Sequence, residues 1–213
     1  MENMDFIRVP EIKVYKQQCW EDLNREYRSA VVIKHGRLNF TETYFYLAHT
    51  GNRSAMVHSL ATHLTQNSAQ YAKRYNYDYQ LLKAALLDGF LGIRESLAGL
   101  VNCVFCLDIA AKLGSTVRIL NKAKERKLDV AAYLDQIVKR NSPLDKYLEE
   151  FRHPYVHRED ISGFSVQDIT AALAGIEQPR ILTFIDRSAV ASQQLQEIEK
   201  AIAKECGRKL GVL

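Results

Sequence analysis

Apolar positions recur along most of this chain at intervals of three and four, the period of an α-helix that buries one face. Ile12, Tyr15, Cys19, Leu23 and Tyr27 keep that period and predict a first helix over residues 11–34. His35-Gly36-Arg37-Leu38-Asn39 interrupts it. A short helix is predicted over 41–48, then a break at Thr50-Gly51-Asn52, then a helix over 53–73 with Met56, Leu60, His63 and Leu64 on one side. Residues 77–113 are the most apolar stretch. Gly89, Gly92, Ala98 and Gly99 there leave room for another helix to approach, and Gly114-Ser115 marks the end. Two shorter helices follow over 116–125 and 129–140.

The clearest start signal comes next. Ser142 can cap a helix, Pro143 suits its first position, and Asp145 stands three residues after the cap. Leu144, Tyr147, Leu148 and Phe151 supply the buried stripe. Pro154 is expected to end or kink this helix, because its ring crowds the preceding turn and it has no N–H. Ser165 and Asp168 predict a further helix to about Ile176. The last is predicted from Arg180 or Asp186 to Cys206, with Leu195, Ile198 and Ile202 as its stripe and Gly207 as its cap. No repeat or linker interrupts the series. The expectation is an all-α, multi-helix up-and-down bundle forming one domain over residues 1–213.

Composition narrows this picture. With 213 residues, 47% of them hydrophobic, the chain can bury a core without staples. Four prolines and ten glycines suit long helices better than a turn-rich β fold. The net charge of +4 permits a phosphate or RNA partner without requiring one. Cys19, Cys103, Cys106 and Cys206 show no dense disulfide spacing. The apolar region Leu81–Leu113 carries Lys83, Asp88, Arg94, Glu95, Asp108 and Lys112, too many charges for a membrane span. The N-terminus lacks a basic region followed by an apolar stretch, so no signal peptide is expected and a cytoplasmic location is.

Candidate chemistry concentrates in Phe151-Arg152-His153-Pro154-Tyr155-Val156-His157-Arg158-Glu159-Asp160, which gathers imidazoles, guanidiniums and carboxylates around one proline. Arg152 and His157 are separated by four residues, and the polar His153 follows the arginine. The pattern resembles the Arg-x(4–6)-His motif of the HEPN superfamily, helical bundles that include many metal-independent ribonucleases. Arg53/His58 and Arg28/His35 match the spacing too. The capped helix, His153, Pro154 and the charged tail set Arg152/His157 apart. Some toxin-type members of the family carry a tyrosine two residues after the histidine; here Glu159 stands there.

The resemblance implies a homodimer with the motif at its interface and RNA cleavage without metal or cofactor. His157 would move a proton on the ribose 2′-OH or the leaving 5′-oxygen, near its ordinary pKa of about 6.5. Arg152 would hold the phosphate and stabilise transition-state charge. His153 and Arg158 would bind substrate. Positions five apart on an ideal helix are rotated about 140° from each other, so convergence requires a break at Pro154 or residues from a facing chain. The alternative is an inactive HEPN-like module that binds nucleotide, RNA or a protein. As a purely structural element, Arg152 would pair with Glu149 or Glu159, and His157 would cap a turn.

Other constellations have plainer readings. His153 and His157 have the spacing of helical zinc ligands, with Glu149 or Asp160 as a third, but the helix would have to continue through Pro154. Cys103 and Cys106 read as small helix-packing side chains. Asp88 and Glu95 share a helix face and are expected to pair with basic neighbours. Arg118, Lys122, Lys124, Arg126 and Lys127 form a basic run that would track a phosphate backbone or simply face water. Lys73, Arg74 and the tyrosines at 71, 75, 77 and 79 would stack on bases or pack around a turn. His58 and His63 are expected in or beside the core.

Overall fold

In a computed structural model of the chain, the described residues are 12–35, 41–72, 77–110, 115–157 and 177–212; side chains at 33–35, 77, 152–157 and 177–178 are not described. Among the described residues every regular element is helical. They are α1 (Gln18–His35), α2 (Glu42–Gln66), α3 (Ser68–Tyr71), α4 (Tyr77–Val104), α5 (Ser115–Glu125), α6 (Val130–Val138), α7 (Pro143–His157) and α8 (Glu177–Leu210). The expected all-α bundle is therefore what forms. The helix predicted over 165–176 lies outside the described residues.

Several boundaries differ from the periodic reading. Residues 12–17 precede α1 instead of opening it, because their polar groups are used sideways. The Tyr15 amide donates to Ser59 Oγ at 2.8 Å, and the Gln17 carbonyl accepts from the amides of Trp20 and Glu21. Thr50-Gly51-Asn52 is no break either. Glycine costs about 1 kcal/mol against alanine inside a helix, but burial overrides this: Thr50 is buried and Gly51 packs on Trp20. So α2 runs unbroken, with Thr41 capping its start through the Tyr44 amide.

α4 stops at Val104, short of Leu113. Cys106 takes a left-handed conformation (φ 51°), and the amides of Cys106 and Leu107 return to the carbonyls of Cys103 and Asn102. This is the Schellman end, made here without glycine. Lys127 ends α5 the same way, with φ 53° and the Leu128 amide on the Ala123 carbonyl. At the end of α8 the cap is Gly211, not Gly207, which is buried within the helix.

The long pair α2 and α4 is the centre of the packing. Its glycines act as the small-residue reading expects. A Cβ on Gly89 would lie 2.9 Å from side-chain atoms of Met56 and Val57, one on Gly92 would meet the Arg53 guanidinium, and one on Gly99 would meet the Tyr46 ring. Against this pair, α8 supplies Phe184, Ile185, Leu195, Ile202 and Cys206, all buried. α7 is seated by aromatic contacts: Tyr147 lies 5.0 Å from Phe90 and Phe151 lies 5.2 Å from Phe184, centroid to centroid. The Tyr147 hydroxyl and Ser188 Oγ are 2.7 Å apart, which gives that buried phenol a partner.

Candidate functional site

The start of α7 forms as its sequence dictates. Ser142 Oγ accepts the Asp145 amide at 3.2 Å, and the Asp145 carboxylate accepts the Asn141 amide at 2.9 Å, so two amides left over at the helix start are satisfied. Asp145 also faces Arg94 at 3.5 Å. Leu144, Tyr147, Leu148 and Phe151 then turn inward, the first three fully buried. The buried stripe thereby delivers positions 152–157 to the last turns of α7.

Of the two outcomes expected at Pro154, an end or a kink, the end does not occur: the helix continues to His157. Proline's fixed φ of about −65° is a helical value, and its cost is the lost bond to the carbonyl four residues back and the crowding of that turn by the ring. Positions 152 and 157 thus share one helix, about 140° apart around its axis. That backbone does not by itself bring them together. The side chains of Arg152, His153 and His157 are not described, and Arg158 lies outside the described residues.

The other sequence candidates resolve into structural roles. Cys103 Sγ lies 3.2 Å from Thr43 Oγ1, and burial raises its thiol pKa; Cys106 is exposed at the helix cap. No disulfide joins them. Asp88 and Glu95 are both exposed on α4. Within the basic run, Lys122 pairs with Glu125 at 2.9 Å, Lys124 pairs with Asp135, and Arg126 donates to the carbonyls of Phe105 and Cys106. Among the described residues, no three His, Cys, Asp or Glu side chains converge as a metal would need. No described helix is long and apolar enough to cross a membrane.

Among the described residues, one buried polar cluster was missed by residue spacing. His58 and Glu199 are 2% and 0% exposed, and His58 Nε2 lies 2.6 Å from Glu199 Oε2. The other imidazole nitrogen lies 2.7 Å from Ser192 Oγ. Gln17 Nε2 donates to the same carboxylate at 2.5 Å and Trp20 Nε1 at 3.4 Å. Burial, followed by the nearby Glu199 charge, pushes the Cys19 thiol up to about 11, which leaves it a poor nucleophile. Both ring nitrogens of the imidazole are engaged and the pair is buried, so this cluster ties the segment before α1 to α2 and α8. A sequence signal for it exists: Glu199 stands in the buried row Leu195, Ile202 and Cys206, four residues after Leu195.

Compared with family models, with curated proteins and with solved structures, the chain matches none.

Proposed function

We propose that the protein is a metal-independent endoribonuclease of HEPN type, with Arg152 and His157 acting on an RNA phosphodiester. The observation that carries this reading is the placement of the motif: an all-α bundle in which a well-capped helix, anchored by Tyr147 and Phe151, ends on positions 152–157. His157 removes the proton of the 2′-OH, which attacks the adjacent phosphorus. Arg152 holds the phosphate and stabilises charge in the pentavalent transition state. His153 and Arg158 bind the substrate. The P–O5′ bond breaks as the His157 imidazolium returns that proton to the leaving 5′-oxygen, which yields a 2′,3′-cyclic phosphate and a 5′-hydroxyl. On this reading a second copy supplies the convergence that one continuous helix lacks: Arg152 of one protomer works with the partner's motif in a homodimer.

The test incubates purified protein with RNA of mixed sequence in EDTA and identifies the product ends. Cleavage lost in both Arg152→Ala and His157→Ala, with helical content intact, supports the reading. Wild-type protein that binds RNA but cuts none of it leaves the binding module in its place. Undiminished cleavage by the His157 variant sinks the assignment of His157.

A further inference from the structure

Two cysteines stand at the ends of the turn that closes α4. The Cys106 amide donates to the Cys103 carbonyl at 3.3 Å. Positions three apart at helical rise and radius have Cα atoms about 5 Å apart, inside the span of about 4.4–6.8 Å that a disulfide bridges. Had the helix continued, the two Cβ atoms would stand about 5–6 Å apart, too far for that bond. Cys106 instead takes the left-handed conformation (φ 51°), which non-glycine residues seldom adopt. Its thiol donates to the Cys103 carbonyl at 3.8 Å, so the side chain leans back over the turn. Asp108 is left-handed as well (φ 58°). The shape is braced from two helices. The Leu107 amide donates to the Asn102 carbonyl at 3.0 Å, and the Asn102 side chain clasps Ile109, donating to its carbonyl at 3.0 Å and accepting its amide at 3.1 Å. Arg126, just past α5, donates to the carbonyls of Phe105 and Cys106 at 3.3 and 3.0 Å.

We propose that Cys103 and Cys106 form a reversible redox site, oxidised to an intramolecular disulfide by a small disulfide of the glutathione class. The site does not rest on the ribonuclease reading and shares none of its residues. The other two thiols are unsuited to this chemistry. Cys206 is fully buried, and burial pushes the Cys19 thiol up to about 11. Cys106 is exposed and Cys103 is half-buried, which sets the order of events. The exposed Cys106 thiolate attacks one sulfur of glutathione disulfide. That S–S bond breaks, and one glutathione leaves with the proton that Cys106 gave up. Cys103 then loses its proton and attacks Cys106 Sγ, which releases the second glutathione as a thiol. The two cysteines thereby lose two electrons and two protons, and one disulfide becomes two thiols. Burial raises the Cys103 thiol, and Cys106 is among the neighbouring groups that raise it further, so Cys103 is the slower nucleophile and the resolving one. Cys103 Sγ also lies 3.2 Å from Thr43 Oγ1. The bond is therefore made where the end of α4 meets the start of α2.

The test incubates reduced protein in buffers of rising glutathione disulfide to glutathione ratio. Free thiols are then trapped by alkylation, and the peptide that carries both cysteines is weighed. That peptide should lose two hydrogens, and take up no alkyl group, in a fraction that grows with the ratio. Excess dithiothreitol should return both thiols. Cys103→Ser should stop at a mixed disulfide, with one glutathione held on Cys106. Cys106→Ser should react at least about tenfold more slowly, because the remaining thiol is half-buried. Circular dichroism confirms the fold of each variant. Two free thiols in the wild-type peptide at every ratio overturn the proposal. So does a wild-type adduct of one glutathione that never resolves, which would make Cys106 a solitary thiol. Reaction of Cys106→Ser at the wild-type rate overturns the assignment of Cys106 as the entry sulfur.

Discussion

The same Arg-x(4)-His spacing occurs on two helices of this molecule with opposite consequences. In the middle of α2, Arg53 lies against Gly92, and His58 is locked between Glu199 and Ser192. At the end of α7, positions 152 and 157 lie in the turns that follow Phe151, which packs against the core. A spacing on a helix fixes only an angle and a rise. Whether an imidazole does chemistry depends on what surrounds it, and on α2 the surroundings are a carboxylate, a serine and the buried core. The pair on α2 is the internal control for the pair on α7: identical in sequence pattern, spent on holding three segments together.

The largest effect expected from this contrast is at Glu199. Glu199→Ala leaves His58 Nε2, Gln17 Nε2 and Trp20 Nε1 without their acceptor inside the core. A buried donor left without its acceptor costs about 1–3 kcal/mol, so urea unfolding should show a loss of several kcal/mol. A loss under about 1 kcal/mol would mean that water reaches the cluster and that it does not hold the segment before α1.

The two histidines should then separate cleanly. His157→Ala is expected to lower RNA cleavage about 10²–10⁴-fold, the contribution of a positioned acid–base group. The folded state should be kept, which circular dichroism of the variant checks. His58→Ala should do the reverse, reducing stability by several kcal/mol while the folded fraction keeps its specific activity. If His58→Ala abolishes cleavage in folded protein and His157→Ala does not, the roles of the two pairs are exchanged.

The arginine of the control pair gives a smaller effect. Gly92→Ala places a methyl against the Arg53 guanidinium. The far end of a long side chain can shift, so the expected cost is about 1 kcal/mol, at the low end for overpacking. Gly99→Ala meets the ring of Tyr46 instead, which has less freedom, and should cost about 2–3 kcal/mol by the same principle. Thermal unfolding of the two variants side by side checks the order.

How much of this was legible in the sequence depended on the kind of signal. The cap at Ser142 and the stripe through Phe151 could be read because they are local: a hydroxyl three residues before an amide, and apolar side chains at helical spacing. The break assigned to Thr50-Gly51-Asn52 failed because Trp20, distant in sequence, covers Gly51. The end of α4 was placed late because its left-handed cap is Cys106, a residue with no preference for that conformation. His58 could be placed in the core, but its partner stands 141 residues away.

Pro154 gives the finest discrimination between the two pairs, because it is the one residue that could make them differ in backbone. Inside a helix a proline is about 3 kcal/mol worse than alanine, through the lost N–H and the crowding of the preceding turn. Near a helix end the penalty approaches that of the one lost hydrogen bond, about 1 kcal/mol. Since α7 continues to His157, Pro154→Ala should restore the bond to the Glu150 carbonyl and stabilise the protein by about that amount. The relation between positions 152 and 157 is then the same with either residue, and cleavage by the homodimer should change less than threefold. Unchanged or lower stability together with a large loss of cleavage would show that the chain turns at Pro154 and that the turn, not the second copy, assembles the site.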